Sequence, residues 1–125
     1  MPAASVAPRP ATTVVVFDGT DAATLARFFR VLGDPTRLRI VALLGAGERT
    51  VGEIVDAVGV SQSRVSTHLA CLRHCRLATA ERRGREIVYR LAIPGILGLL
   101  QRSLTVAEPQ AEHLATCSRT GPEWV

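Results

Sequence analysis

Lysine is absent from this sequence: all fifteen basic residues are arginine, and the formal net charge at pH 7 is +4. Arginine presents a planar fork of donors that fits phosphate groups and the edge of guanine. No apolar run approaches the roughly 20 residues that a membrane-spanning helix needs, and the N-terminal stretch lacks the hydrophobic region of a signal peptide. These absences predict a cytosolic protein with no membrane partner, and the surplus of arginine favours a polyanionic ligand.

The sequence also lacks the constellations that catalysis requires. It contains no nucleophile paired with a base, no glycine-rich phosphate loop and no pair of catalytic carboxylates. There are three cysteines, an odd count that argues against a closed disulfide framework. We therefore expect a protein that is not an enzyme and whose thiols stay reduced. Its 125 residues, 47% of them apolar, predict one small folded domain.

Composition divides the chain into three parts. Residues 1–18 are rich in proline, alanine and threonine and are predicted to form a mobile N-terminal segment. Residues 19–107 carry the helix and strand patterns of a winged helix-turn-helix domain that also supplies the dimer contact. Residues 108–125 form a C-terminal tail with no clear pattern, and this tail contains one of the cysteines.

Helix start and stop signals recur through the first half of the domain. Asp34 followed by Pro35 is typical of a helix start, with aspartate as the N-cap and proline at the first helical position. Thr50 and Glu53 match a capping box that opens a short helix, and Gly59 ends that helix. A short helix, a tight turn with glycine and a further helix together predict a helix-turn-helix.

The stretch Val60–Leu77, with the sequence VSQSRVSTHLACLRHCRL, is predicted to be the second helix of that motif. Val65, Leu69 and Leu72 repeat at helical spacing and form a buried stripe. The opposite face begins with small, polar or basic side chains that can reach base edges in a major groove. These candidate DNA-binding residues are Gln62, Ser63, Arg64, Ser66 and Thr67.

A β-hairpin is predicted directly after this helix, with strands at residues 77–82 and 86–91. Its tip carries arginines that can lie along phosphates or enter a minor groove, which is the role of a wing. These arginines are Arg82, Arg83 and Arg85. A helix predicted near residues 95–107 is apolar on more than one side, which favours a subunit contact. The expected fold is therefore mainly α with a β-hairpin wing: a homodimeric winged helix-turn-helix.

Cys71 and Cys75 lie four residues apart in the predicted recognition helix, so both thiols share one helical face. Thiolates are soft donors that select ions such as Cd(II), Pb(II), Hg(II) or Zn(II) over hard cations. We expect the neighbouring Arg73, His74 and Arg76 to lower the pKa of these thiols. The spacing alone leaves a second interpretation open, in which both cysteines are small core residues.

Three segments of the chain together resemble a known family. LGDPTRLRIVALL, VGEIVDAVGVSQSRVSTHLACLR and RRGREIVYRL are similar to the sequences of ArsR/SmtB winged-helix metalloregulators, and the resemblance covers about residues 22–105. It implies a homodimer that binds double-stranded operator DNA with an inverted repeat and represses transcription. It also implies release from that operator when a metal ion binds.

This family places its metal ligands in several positions, and the sequence fits one of them. There is no Cys-x-Cys pair, and residues 95–107 contain no Asp, Glu or His, so two kinds of family site are absent. The cysteine pattern resembles that of the actinobacterial cadmium and lead sensors, which implies Cys71, Cys75 and the tail residue Cys117 as ligands. A mercury-responsive member would also fit three thiolates. The expected inducer is therefore Cd(II), Pb(II) or Hg(II), without an organic cofactor.

Two other functions remain open from the sequence. One is a winged-helix repressor that senses oxidants through its thiols, which would lose DNA affinity in peroxide without any metal. The other is a winged helix used only for contacts between proteins, which would show no salt-dependent affinity for DNA.

Overall fold

The computed structural model describes residues 17–117, so most of the segment predicted to be mobile, residues 1–16, lies outside the described residues. The chain divides after residue 30 into two compact units, of which the second, Val31–Val125, carries the helix-turn-helix and the hairpin. Within the described residues, no helix is both long enough and apolar enough to cross a lipid bilayer.

Helices dominate the described residues, as the sequence predicts. They are α1 (Gly19–Leu32), α2 (Pro35–Gly45), α3 (Val51–Val58), α4 (Gln62–His74), α5 (Ile96–Ala107) and α6 (Ala111–Thr116). The strands are β1 (Arg49–Thr50), β2 (Ala78–Arg83) and β3 (Glu86–Leu91), and a 3-10 turn (Glu108–Gln110) joins α5 to α6. The prediction of a mainly α winged helix-turn-helix with a β-hairpin wing is confirmed.

Side-chain caps fix where the helices before α4 begin. The Asp34 carboxylate accepts a hydrogen bond from the Arg37 N–H (3.0 Å), and Pro35 occupies the first turn of α2. Thr50 and Glu53 form the predicted capping box at α3, in which each side chain accepts from the other residue's N–H (3.2 and 2.9 Å). These bonds satisfy amide groups that have no partner within the helix.

The end of α3 sets the turn of the helix-turn-helix. Gly59 has a left-handed backbone (φ 70°), and its N–H donates to the Val55 carbonyl (3.0 Å). Arg39 on α2 donates to two carbonyls at the same helix end, those of Val58 (2.8 Å) and Ala57 (3.3 Å). The turn that leads into α4 is therefore held by α2 as well as by its own glycine.

Replacing Gly59 with alanine is expected to lower the free energy of unfolding by about 1–2 kcal/mol, because an L-residue is strained at this φ. Apart from its chain neighbours, no atom lies within 4 Å of the added Cβ, so the cost would come from the backbone alone. Urea denaturation at fixed protein concentration measures this cost. Gly52→Ala on α3 is the control, because a helical backbone favours alanine there. Equal losses in both variants would contradict the left-handed turn.

The core of the second unit lies between three helices and the sheet. Val65, Leu69 and Leu72 on the inner face of α4 are fully buried, as their spacing predicts. The remaining fully buried large side chains are Ile40 and Val41 of α2 and Ile54 of α3. Because α4 is packed along this whole stripe, its outer face has a fixed orientation.

The hairpin belongs to a three-stranded antiparallel sheet with the order β1–β3–β2. β2 and β3 form the predicted hairpin, and Gly84 in its turn has a left-handed backbone (φ 63°). The sequence does not predict β1, whose residues Arg49 and Thr50 pair with Tyr89 and Val88. A strand of two residues has no alternating pattern, and only its pairing with β3 reveals it.

The recognition helix is shorter than predicted. The sequence predicts one helix over Val60–Leu77, whereas α4 ends at His74, and Arg76 has a left-handed backbone (φ 65°). The Leu77 N–H donates to the Leu72 carbonyl (2.8 Å), which is the long bond of a Schellman motif between two buried leucines. Arginine occupies the position that glycine usually fills in this motif, so the helix end is not evident from the sequence.

The tail also differs from expectation, because residues 108–116 are helical where the sequence shows no clear pattern. On α5, which precedes the tail, Leu99, Leu104 and Val106 are exposed, the last at 76%. Leu99 and Val106 are seven residues apart and so share one face of α5, and an exposed apolar face is what the predicted subunit contact requires.

Candidate functional site

The outer face of α4 is open along its first two turns. Ser61 caps the helix, and its hydroxyl accepts a hydrogen bond from the Arg64 N–H (3.2 Å). The Thr67 hydroxyl donates to the Ser63 carbonyl (3.0 Å), which leaves the hydroxyl oxygen as an acceptor. All the predicted DNA-binding residues of this helix are exposed: Gln62, Ser63, Arg64, Ser66 and Thr67. Their small polar side chains suit contact with base edges.

A groove of about 410 Å³ separates the start of α4 from the hairpin. Gln62 and Ser66 line it on the helix side, and Arg85, Ile87 and Tyr89 line it on the hairpin side. Residues predicted separately from the helix and from the hairpin therefore border one surface. A polyanion lying along α4 would meet the guanidinium group of Arg85 across this groove.

The three wing arginines have different surroundings. Arg83 forms ion pairs with Glu48 (2.5 Å) and Glu81 (3.0 Å). Arg82 and Arg85 have no ion pair with any residue in the described range, and both are exposed. Arg82 and Arg85 thus keep an unneutralised charge at the wing. A direct DNA contact by Arg83 stays a prediction, and its two ion pairs weigh against it.

Glu48 is the centre of these ion pairs. Its Oε1 accepts from Arg83 Nη1 (2.5 Å), and its Oε2 accepts from Arg83 Nη2 (3.2 Å) and Arg90 Nη2 (2.8 Å). The hydrogen bonds from Arg83, and then those from Arg90, lower the pKa of Glu48 from 4.5 to about 2. Because this pKa is lowered on folding, the interaction is fully present above pH 4.5 and is lost as the pH falls through about 2.

Cys71 and Cys75 lie together at the C-terminal end of α4. The Cys75 N–H donates to the Cys71 carbonyl (2.9 Å), so the two side chains lie one helical turn apart on the same face. Cys71 is half-buried, Cys75 is exposed, and neither forms a disulfide. Cys75 is the C-cap of α4, directly before the left-handed Arg76. Two adjacent and accessible sulfurs fit the donor preference of a soft metal ion.

The predicted lowering of the thiol pKa is wrong for Cys75. Partial desolvation raises the pKa of this thiol, and the neighbouring Cys71 raises it further. The charge that opposes this rise belongs to Arg37 of α2 and not to Arg73 or Arg76. Arg73 and Arg76 are exposed, and water screens their charges.

Cys117 does not join this pair in the single chain. It is the C-cap of α6, where its N–H donates to the His113 carbonyl (2.8 Å). Residues 17–117 contain no group of three His, Cys, Asp or Glu side chains placed to hold a metal ion. The third thiolate therefore stays a prediction, which requires a movement of α6 or a second copy of the chain.

Arg37 is a positioning residue that sequence reasoning missed. Its Nη1 lies 3.2 Å from Nδ1 of His68 on α4, and its Nε donates to the Val31 carbonyl (2.5 Å). On the other side of the His68 ring, Nε2 lies 3.7 Å from the Asp34 carboxylate. Arg37 thus joins the start of α2 to the middle of α4, close enough to Cys75 for its charge to act on that thiol. Its only sequence signal is its place one turn after the helix cap.

Comparison with known proteins gives matches to transcriptional regulators. A profile described as "Bacterial regulatory protein, arsR family" matches residues 34–80, from the cap of α2 into β2. The chain is 42% identical over 96 residues to a probable mercury resistance operon repressor of Streptomyces lividans, and the match covers 77% of each chain.

Two further matches are with mycobacterial proteins. The chain is 46% identical over 68 residues to the HTH-type transcriptional regulator CmtR of Mycobacterium bovis, which covers 54% of this chain and 58% of that regulator. It is also similar to the solution structure of the homodimeric winged helix-turn-helix DNA-binding domain of a possible ArsR-family transcriptional regulator from Mycobacterium bovis. That match has a TM-score of 0.60 and 29% identity, and it covers 78% of this chain and 95% of the other.

Proposed function

Because this chain belongs to the ArsR family of bacterial regulatory proteins, we propose that it is a transcriptional repressor that a thiophilic metal ion releases from operator DNA. The observation that carries this proposal is a pair of cysteines that lie one helical turn apart and form no disulfide, at the end of the helix whose outer face is exposed. The relatives are transcriptional regulators and not enzymes, and the expectation that this chain is not an enzyme is confirmed.

In this proposal α4 enters the major groove of the operator and the hairpin follows the phosphate backbone. Arg82 and Arg85 hold the wing to phosphates, since both are exposed and outside any ion pair of the described residues. The base edges are read by the exposed side chains at the start of α4, which are Gln62, Ser63, Arg64, Ser66 and Thr67.

A homodimer is the proposed binding species. The similar DNA-binding domain from Mycobacterium bovis is homodimeric, which supports a dimer here. Leu99 and Val106 on one face of α5 are exposed apolar side chains that a second copy would cover. Two copies related by a twofold axis would present two recognition helices, and the matching operator is an inverted repeat.

The proposed inducer is Cd(II), Pb(II) or Hg(II), held by Cys71 and Cys75 with Cys117 as a third ligand. The name of the Streptomyces relative supports Hg(II) among these ions. A bound ion would supply strong bonds to thiolate sulfur. Cys75 lies directly between the end of α4 and the left-handed Arg76, so a constraint on its sulfur acts where the recognition helix passes into the wing.

This function can be tested directly by selecting, from a pool of random duplexes, those that bind the metal-free protein. We expect a bound sequence with an inverted repeat, and we expect Cd(II), Pb(II) or Hg(II) to weaken its binding by about 5- to 150-fold, for a coupling of about 1–3 kcal/mol. Failure to select any duplex would refute the repressor role. If a duplex is selected but none of the three ions releases it, the metal-sensing role is refuted and the repressor role is not.

Replacing Arg85 with alanine is expected to weaken binding to all duplexes and to reduce the salt slope, d log K/d log[salt], by about 0.9, the value for one lost phosphate contact. Fluorescence anisotropy over a series of salt concentrations measures the slope. Arg27→Ala is the matched control, because Arg27 is an exposed arginine on α1, outside the helix-turn-helix and the hairpin. An unchanged slope in Arg85→Ala would remove this residue from the interface.

A thiol-based oxidant sensor is the second candidate function, and the placement of Cys71 and Cys75 one helical turn apart favours it. Peroxide would oxidise the thiols of Cys71 and Cys75 to one disulfide and would be reduced to two molecules of water. This function predicts that peroxide abolishes DNA binding of metal-free protein and that dithiothreitol restores it. If the protein still binds DNA in peroxide, oxidant sensing is refuted, and the metal-responsive function remains as the only candidate of the two.

A further inference from the structure

One face of the hairpin carries a cluster of charged side chains. Thr79, Glu81 and Arg83 alternate along one face of β2, and the register places Arg90 opposite Thr79 on the same face. Arg90 lies 2.8 Å from the Glu48 carboxylate and 3.8 Å from that of Glu81, and Arg83 contacts the same two carboxylates. On this face, two positive and two negative charges therefore form one network.

Glu48 is placed to control this network from outside the hairpin. It directly precedes β1, which pairs with β3, so its carboxylate reaches arginines of both hairpin strands. Both of its oxygens accept from guanidinium groups, and the contact with Arg83 is bidentate. A single exposed ion pair contributes little, but a bidentate network restricts the directions in which Arg83 and Arg90 can point.

We propose that Glu48 is a specificity-determining residue of the DNA-binding surface, which together with Glu81 holds Arg83 and Arg90 in ion pairs and so withholds both cations from non-specific phosphate contacts. This inference rests on the proposed function, since it requires a surface that binds DNA. Non-specific affinity grows with every Lys or Arg that reaches a phosphate. A repressor must select its operator from a large excess of other sites, so a lower number of available cations improves discrimination.

The test compares wild-type protein with Glu48→Gln on a duplex of random sequence, by fluorescence anisotropy over a series of salt concentrations. We expect the salt slope of Glu48→Gln to be steeper by about 0.9, because Glu81 still balances one of the two arginines, and its affinity at low salt to be about tenfold higher. Glu112→Gln is the matched control: it removes the same charge from the chain, but Glu112 is exposed on α6 and has no ion pair in the described structure. Equal changes in both variants would overturn the proposal.

A double-mutant cycle with Arg83→Ala tests this balance of charges. In the wild-type background, Arg83→Ala should leave the salt slope unchanged, because the guanidinium group is already neutralised. In the Glu48→Gln background, the same substitution should remove the gain in slope, because Glu81 then balances the charge of Arg90. A loss of about 0.9 from Arg83→Ala alone would mean that Arg83 already contacts phosphate, which overturns the proposal.

The measurements distinguish failure of the repressor function from failure of the role of Glu48. If the wild-type protein shows no salt-dependent affinity for any duplex, the repressor function itself fails, and the role of Glu48 fails with it. If the wild type binds DNA but Glu48→Gln has the wild-type slope, only the role of Glu48 is refuted.

Discussion

Replacing Cys71 with serine is expected to abolish the release of operator DNA by Cd(II), Pb(II) or Hg(II), while the metal-free variant still binds. Serine nearly keeps the size of the side chain but offers a hydroxyl oxygen, a hard donor that soft ions bind poorly. In the wild type, a coupling of about 1–3 kcal/mol would weaken operator binding about 5- to 150-fold. In Cys71→Ser we expect operator affinity to be the same with and without metal.

Two measurements on reduced, anaerobic protein separate binding of the ion from release of DNA. Charge-transfer absorption reports metal–thiolate bonds, and mobility shift reports operator affinity. Cys75→Ser should match Cys71→Ser in both, and Cys117→Ser should keep part of the absorption because the adjacent pair of thiolates at the end of α4 remains. His74→Gln is the matched control, since His74 is an exposed nitrogen donor next to Cys75 and should be dispensable.

Three outcomes would change which residues are assigned as metal ligands. Normal release by a double Cys71→Ser and Cys75→Ser variant would show that the ion binds elsewhere. Loss of release in His74→Gln would add an imidazole to the ligand set. A loss in Cys117→Ser as complete as in Cys71→Ser would make the tail thiol an equal ligand, which a second copy or a moved α6 would have to supply, since one chain as described does not bring the three sulfurs together.

Local chemistry explains why the helix starts of this fold are predictable from its sequence. Asp34 caps an amide three residues along the chain, and Thr50 and Glu53 do the same for each other, so spacing alone specifies the bonds. The stripe on α4 is predictable because Val65 and Leu69 are four residues apart and fall on one face of any helix. The candidate DNA-reading residues follow, since they occupy the other face.

Contacts between distant residues are not predictable in this way. Arg83 and Glu48 are 35 positions apart, and Arg37 and His68 are 31 apart. Only the pairing of β1 with β3 brings Glu48 to the wing, and β1 is too short to be seen in the sequence. The pKa of Cys75 depends in the same way on Arg37 from another helix. The sequence therefore nominates the residues of the candidate site, whereas the electrostatics of that site requires the fold.

Replacing Leu69 with alanine is expected to lower the free energy of unfolding by about 2–5 kcal/mol. The side chain is fully buried on the inner face of α4, between the equally buried Val65 and Leu72, so its removal leaves a cavity. A domain of this size has a total stability of about 5–15 kcal/mol, and the loss is a large share of it. Urea denaturation measures the change, at one protein concentration for all variants because a dimer is stabilised by association.

Thr67→Ala is the matched control, because Thr67 lies on the same helix but on its exposed face. We expect it to change stability by no more than about 0.5 kcal/mol while it weakens operator binding. The two variants thus separate the face that anchors α4 from the face that reads DNA. A cost of less than about 1 kcal/mol for Leu69→Ala would mean that the inner face does not anchor the helix. The thiols at its end would then have no rigid element through which to act on operator affinity.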